Sequence, residues 1–187
     1  MNSYWVETTT RPSFSSLTDN IETDVCVIGA GITGIITAYM LLNSGLKICL
    51  IDKGEICSGV TQNTTAKITS QHNLLYRYLV DSFGEKFAYK YWTSNEEAIN
   101  FIEQTIQKEQ IDCEFERTYN YIYTCKDEYI QRIKDEKETL KKIGSKADLV
   151  KTTELPFKIK LGLKIPRASK VSPVKISVQN SRSTKGT

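Results

Sequence analysis

Three glycines at the end of a short apolar run limit what this chain can fold into more than any other feature of the sequence. The run Val25–Ile28 is continuously apolar, and Gly29, Gly31 and Gly34 follow it with G-x-G-x-x-G spacing. A short run of mostly β-branched residues favours a strand that is buried on both faces of a parallel sheet. Apolar side chains then recur at helical spacing, at Ile32, Ile35, Ile36, Tyr39 and Leu42.

A second apolar run follows and ends in an acid. Ile48–Ile51 predicts a second strand, and Asp52 stands 18 residues after Gly34. In βαβ units that bind dinucleotides, the glycines admit a pyrophosphate at the helix N-terminus, and a carboxylate about 20 residues further on contacts the ribose. Strand, glycines, helix, strand and acid in this order predict such a unit. The alternative is a glycine-rich strand-to-helix turn of an unrelated α/β domain.

Length and composition narrow the class of protein. The 187 residues, 40% of them apolar, can form one globular domain or somewhat more. Five cysteines without a C-x-x-C pair indicate a reducing, cytoplasmic setting. His72 is the single histidine, which disfavours a histidine metal site or a Ser-His-Asp triad. No stretch predicts a signal peptide or a membrane span.

The positive charge is concentrated at the C-terminal end. The net charge is +3, and from Pro156 onward the sequence has eight basic residues and no acidic one. A basic segment can bind nucleic acid or anionic lipid. No aromatic residue follows Phe157, so the segment has no aromatic side chain on which nucleic-acid bases could stack. A solvated strand followed by a disordered tail is therefore favoured. We therefore predict no nucleic-acid partner.

The segment after Asp52 shows neither helical nor strand periodicity. Residues 53–71 are polar and rich in Gly, Ser and Thr. A long loop without regular structure inside a compact domain is usually functional or disordered. Directly after a dinucleotide-binding strand, its hydroxyl and backbone N–H groups predict contacts with a diphosphate or a flavin ring, with a solvated connection as the alternative.

Together these segments carry a family resemblance. Asp24–Gly34, Asp52-Lys53, Ser58-Gly59 and Thr64–His72 resemble the N-terminal region of FAD-dependent oxidoreductases of the D-amino-acid oxidase type. The Thr-Thr-Ala-Lys…Ser-Gln-His pattern is most similar to a bacterial subgroup that often carries a C-terminal Rieske domain. The cysteine and histidine pairs of a Rieske centre are absent here.

The resemblance implies FAD as the cofactor and assigns the contacts by position. Asp52 would bind the adenosine ribose, where the family more often has glutamate, and Lys53 would lie beside the adenosine. Lys67 would place positive charge near the flavin, with a surface lysine as the alternative. The pyrophosphate would be cradled by Gly29, Ala30, Gly31, Ile32, Thr33 and Gly34. The ribityl chain and flavin ring would be followed by Ser58, Thr64, Thr65, Ala66 and Lys67.

Two further residues near this loop have open roles. Cys57 stands where members of the family commonly have a small residue such as glycine, which affects the expected local turn. His72 could belong to a site or to the start of a helix, and the structural role is favoured.

The remaining sequence predicts helices and two strands. Tyr119–Cys125 alternates as a strand with one aromatic face, residues 127–143 form an amphipathic helix, and residues 157–165 alternate as a half-exposed strand. With the resemblance, these elements imply an α/β fold class, a Rossmann-like FAD-binding βαβ start plus the beginning of an α+β substrate domain, truncated. The predicted domains are an arm (1–20), the FAD-binding βαβ and flavin loop (21–75), a helical and substrate region (76–165) and a basic disordered tail (166–187).

The resemblance implies an oxidoreductase in which FAD accepts a hydride from the carbon that bears an amine of a small amine or amino-acid substrate. No catalytic residue is assigned within the 187 residues. Two alternatives stay open, a non-catalytic truncated remnant and a module that binds a nicotinamide dinucleotide.

Overall fold

The computed structural model describes residues 3–183, with the side chains of residues 3–178. Strands, helices and two short 3₁₀ helices alternate along the chain. In chain order they are α1 (Tyr4–Glu7), β1 (Val25–Ile28), α2 (Ile32–Leu41), β2 (Ile48–Ile51), a 3₁₀ helix (Val60–Asn63), β3 (Lys67–Ile68), α3 (Tyr76–Phe83), α4 (Glu85–Lys108), β4 (Glu116–Thr124), a 3₁₀ helix (Asp127–Tyr129), α5 (Ile130–Lys142), β5 (Asp148–Val150), β6 (Leu161–Lys170) and α6 (Pro173–Ser183).

The chain divides into two units. The first contains residues 1–66, 105–115 and 171–187, and the second contains residues 67–104 and 116–170. The sequence predicts boundaries after residues 75 and 165, whereas the chain passes from the first to the second unit after Ala66 and back after Lys170. Between these two positions it also returns to the first unit for residues 105–115.

The first unit is built on the predicted parallel strand pair. β1 pairs with β2 from Val25 opposite Ile48 to Ile28 opposite Ile51, and α2 connects the two strands and contacts both. Helix α6 packs on α2. Their shared core consists of Ala30, Ile35, Ile56, Cys57, Val174 and Val178.

The prediction that β1 is buried on both faces is wrong. Val25 and Val27 are half-buried, whereas Cys26 is exposed and Ile28 is 82% exposed. Val27 faces α2, because its Cγ1 lies 3.4 Å from the position that a Cβ on Gly34 would take. The opposite face, with Cys26 and Ile28, is exposed, which gives the alternation along β1.

The disordered tail predicted from residue 166 is also corrected. Residues 161–170 form β6, and α6 continues the ordered chain to Ser183. Val174 and Val178 are one helical turn apart, and both are buried in the core of the first unit. Pro173 at the first position of α6 is compatible with a helix start, since its missing N–H is not needed there. The predicted tail residues 184–187 lie outside the described residues.

The second unit is a helix-covered antiparallel sheet with β6 as its central strand. β4 pairs along β6 from Thr124 opposite Leu161 to Glu116 opposite Lys170, and β3 and β5 pair with shorter parts of β6. The predicted strand at Tyr119–Cys125 and the amphipathic helix after it are confirmed, whereas the strand predicted at 157–165 begins four residues later. The core consists of Tyr76, Leu79, Ala88, Ile133, Leu140, Ile143, Ala147, Leu161, Leu163 and Ile165.

A buried carboxylate fixes the start of α3 in this unit. Glu136 on α5 is fully buried and accepts hydrogen bonds from the backbone N–H of Tyr76 (2.9 Å) and of Arg77 (2.8 Å). The side-chain amide of Gln71 donates to the same carboxylate at 2.6 Å. Glu136 thus satisfies N–H groups that the first turn of a helix leaves unpaired.

Among the helices of the described chain, none combines the length and the apolarity needed to cross a bilayer.

Candidate cofactor site

The turn between β1 and α2 requires glycine at two positions, for different reasons. Gly29 adopts a φ of 104°, a region that L-residues rarely enter, and its N–H donates to Ile51 O at 2.7 Å. A Cβ on Gly34 would stand 1.9 Å from Gly29 O. The helix therefore lies directly against the turn because position 34 is glycine.

The N-terminus of α2 presents backbone N–H groups. The N–H of Ile32 donates to Thr61 Oγ1 at 3.0 Å, whereas those of Gly31 and Thr33 have no hydrogen-bond partner within residues 3–178. Unpaired N–H groups at a helix start, together with the helix dipole, favour a negatively charged ligand. A Cβ on Gly31 would lie 3.3 Å from Thr61 Oγ1, so a larger residue there would fill this space. The residues present thus fit a diphosphate.

Asp52 lies against the turn. Its Oδ2 accepts a hydrogen bond from Ala30 N at 2.6 Å, and its Oδ1 accepts one from Gly54 N at 2.9 Å. These two N–H groups, with Ala30 the larger contributor, lower the pKa of Asp52 below its ordinary value. The exposed carboxylate is therefore ionised at neutral pH and remains accessible on its outer side.

The loop after β2 folds back onto the turn. Cys57 N donates to Ala30 O at 2.9 Å, and the Cys57 side chain is buried in the core of the first unit. Burial raises the pKa of this thiol, and a hydrogen bond with the Ser177 side chain acts in the opposite direction. Cys57 has a φ of 57°, so a non-glycine residue occupies a left-handed conformation here.

The loop is more regular than its sequence predicts. The 3₁₀ helix Val60–Asn63 brings Thr61 into contact with α2, and Thr61 is only 5% exposed. The expectation of a segment without regular structure over residues 53–71 is therefore wrong for residues 60–63 and for β3. Short 3₁₀ turns lack the long periodicity that identifies helices in a sequence.

The other predicted site residues divide into two groups. Lys53, Ser58, Thr64 and Thr65 are exposed loop residues of the first unit; Ser58 Oγ donates to Glu55 O at 2.7 Å. Ala66 is buried and has a φ of 58°. Lys67 belongs to the second unit, where it pairs with Lys170 at the start of β3. His72 is an exposed residue of the same unit.

The structure identifies one residue that the sequence analysis did not assign. Thr61 accepts a hydrogen bond from the backbone N–H of Ile32 at the start of α2. Among the described residues, neither Thr64 nor Thr65 makes such a hydrogen bond with α2. The enrichment in Gly, Ser and Thr located the loop, but no periodicity distinguishes Thr61 from its neighbours. Its role depends on a contact across 29 residues.

Known proteins provide comparisons for this arrangement. The Rieske 2Fe-2S iron–sulfur protein YhfW of Bacillus subtilis is 37% identical over 171 residues, which are 91% of this chain and 34% of YhfW. The solved structure of L-amino acid deaminase from Proteus vulgaris superposes with a TM-score of 0.71 at 18% sequence identity. The match covers 94% of this chain and 40% of the deaminase chain. L-alpha-glycerophosphate oxidase from Mycoplasma pneumoniae, solved with FAD bound, has a TM-score of 0.68 at 18% identity, over 87% of this chain and 42% of its own.

This chain spans about a third of the length of YhfW. The two solved structures confirm the predicted fold class, a Rossmann-like βαβ start joined to the beginning of an α+β substrate domain. The model of the FAD-dependent oxidoreductase family matches residues 24–178, which include the glycine turn, Asp52, the loop and the first part of α6. The chain therefore belongs to the family of FAD-dependent oxidoreductases.

Proposed function

We propose that this chain binds FAD through the glycine turn and forms the cofactor-holding part of an amine or amino-acid oxidoreductase. The observation that carries the proposal is the pair of unpartnered N–H groups, of Gly31 and Thr33, next to the space beside Thr61 Oγ1 that a side chain at position 31 would fill. A diphosphate supplies the negative charge and the acceptor oxygens that such a helix start favours.

The residues of the turn have distinct roles in this proposal. Gly29, Ala30, Gly31, Ile32, Thr33 and Gly34 cradle the pyrophosphate. Asp52 holds Ala30 and offers the outer side of its carboxylate to the adenosine ribose, next to Lys53. Ser58, Thr64, Thr65 and Ala66 are proposed to line the ribityl chain and the flavin ring, and the flavin role of Lys67, which belongs to the second unit, stays a prediction of the sequence. When bound, FAD supplies the hydride acceptor for oxidation of a carbon that bears an amine.

The substrate class is inferred from a structural relative. The solved deaminase is named for L-amino acids, and an amine or amino-acid substrate for this chain follows from that resemblance. The glycerophosphate oxidase shows that the same fold also serves a substrate without an amine. No residue of this chain is assigned as a catalytic acid or base.

Flavin binding is tested by spectral titration of the purified protein with FAD and, separately, with NAD. We expect saturable binding of FAD at one site per chain and none of NAD. Gly31→Val should weaken FAD binding at least about tenfold, because its side chain fills the space next to Thr61 Oγ1 that the diphosphate needs. Thr37→Val, on an exposed part of the same helix, should leave the affinity unchanged.

The other outcomes distinguish the alternatives. Binding of NAD in place of FAD would identify a nicotinamide module. A folded wild-type protein that binds neither dinucleotide would favour a non-catalytic remnant. Equal FAD affinity of wild type and Gly31→Val would mean that the flavin binds elsewhere.

A further inference from the structure

The N-terminal arm, residues 3–20, contacts the loop that follows β2. Two of its side chains donate to backbone carbonyl oxygens of that loop. Ser3 Oγ donates to Gln62 O at 2.5 Å, and Trp5 Nε1 donates to Thr64 O at 3.3 Å. The Trp5 ring also packs against the core of the first unit. The arm is therefore attached at both ends of the segment 62–64.

Arg11 makes two side-chain contacts between the arm and the loop. Its side chain is only 14% exposed, and its guanidinium donates to Gln62 Oε1 and, at 3.4 Å, to Glu55 Oε2. A largely buried guanidinium requires such partners, because an unpaired buried charge is costly. Gln62 in turn donates through Nε2 to Ser58 O at 2.5 Å. Arg11 thus orients a side chain that bridges two parts of the loop.

Gln62, the residue that Arg11 contacts, directly follows Thr61, which contacts the start of α2 beside the glycine turn. Gln62 and Thr61 share the short 3₁₀ helix, and Thr61 Oγ1 accepts the N–H of Ile32. A rotation of this 3₁₀ helix would move Thr61 away from the start of α2. The contacts of Arg11 with Gln62 therefore limit where Thr61 can lie.

We propose that the N-terminal arm holds the loop after β2 in place and that Arg11 is a positioning residue for FAD binding, acting through Gln62 on Thr61. This inference rests on the proposed function. It assigns a role to a segment that lies before the residues matched by the family model, which begin at residue 24. Arg11 itself need not touch the cofactor.

The test compares Arg11→Ala, Gln62→Ala and the double variant by FAD titration. Each single variant should bind FAD about tenfold more weakly, since hydrogen bonds to a charged group that hold the site are lost. The double variant should be no weaker than either single variant, because both changes break one chain of contacts. Arg132→Ala, which removes an exposed arginine next to Tyr129 in the second unit, should leave the affinity unchanged.

Two further readouts separate positioning from general destabilisation. In the protein without flavin, amide hydrogen exchange of residues 56–66 should increase in Arg11→Ala, while exchange in β1 and α2 stays as in wild type. Arg11→Lys keeps one donor for Gln62 and should recover part of the affinity and of the visible circular dichroism of the bound flavin.

The outcomes keep the two proposals apart. If wild type binds FAD and the affinity of Arg11→Ala is within twofold of wild type, the positioning role of Arg11 is wrong and the proposed function stands. If the effects of Arg11→Ala and Gln62→Ala add in the double variant, Arg11 does not act through Gln62, and the inference is overturned. If wild type binds no flavin, both proposals fall.

Discussion

Asp52 Oδ2 accepts a hydrogen bond from the backbone N–H of Ala30 at 2.6 Å, and this contact joins the end of β2 to the glycine turn. The second carboxylate oxygen accepts the N–H of Gly54 at 2.9 Å. Asp52 therefore holds the turn in the protein without cofactor, in addition to the ribose contact that its position predicts. Its loss should be measurable in the absence of any flavin.

Asp52→Asn should lower the thermal midpoint of unfolding, because one of the two acceptor oxygens is replaced by a donor. The pKa of Asp52 is lower in the folded protein than in the unfolded chain, where an aspartate has a pKa of about 3.9. Its contribution to stability is thus present above about pH 4 and is lost as the pH falls through the folded-state pKa.

The check is thermal unfolding of both proteins across this pH range. The difference in Tm should be constant near neutral pH and should shrink below about pH 4. Asp148→Asn, an exposed change in β5, should leave Tm unaltered at every pH. A difference for Asp52→Asn that persists undiminished in acid would mean that the charge of Asp52 does not hold the turn.

Gly34→Ala should prevent normal packing of α2 on the turn. The added Cβ would lie 1.9 Å from Gly29 O and 3.1 Å from Gly29 C, and both are main-chain atoms that cannot rotate away. We expect a loss of about 3 kcal/mol or more in the free energy of unfolding, measured by urea denaturation. Gly59→Ala is the matched control, because its Cβ would meet no atom within 4 Å. Equal stability of the two variants would contradict the close packing.

Glu136→Ala should destabilise the second unit. The change removes the acceptor of two backbone N–H groups and of the Gln71 amide, all close to the start of α3. Leaving buried donors unpaired should cost about 3 kcal/mol in the free energy of unfolding. Glu138→Ala, two residues along α5 and paired with Lys137 on the surface, should change it by less than about 0.5 kcal/mol. Similar losses in both variants would refute this capping role.

Ile28→Thr should reduce self-association of the purified protein. Ile28 is 82% exposed on the uncovered face of β1, and exposed apolar strand faces favour association between copies. Val60→Thr removes a side chain of nearly the same exposure, 83%, from the 3₁₀ helix of the loop and should have no such effect. Static light scattering at increasing concentration measures both. A reduction of equal size in both variants would point to general surface apolarity.

Local sequence patterns predicted the elements that surround the candidate site. The apolar runs and the glycine spacing located β1, α2 and β2 correctly, because strand and helix periodicity depend on neighbouring residues. The same patterns failed for α6. The segment has only a few isolated valine and isoleucine residues, too few to predict a buried helix from the sequence alone. Val174 and Val178 are nevertheless buried against residues more than 100 positions earlier in the chain.

The sequence by itself determined the family, the glycine turn and the acid that follows β2. Only the tertiary structure decided that Thr61 contacts the start of α2, that Asp52 accepts a hydrogen bond from Ala30, that one face of β1 is exposed and that Arg11 donates to Gln62 in the loop. The physical reason is that the contacts of Thr61, Asp52 and Arg11 join residues 22 to 51 positions apart, and that the exposure of β1 depends on what packs against it. Packing fixes such contacts, and no local periodicity records them.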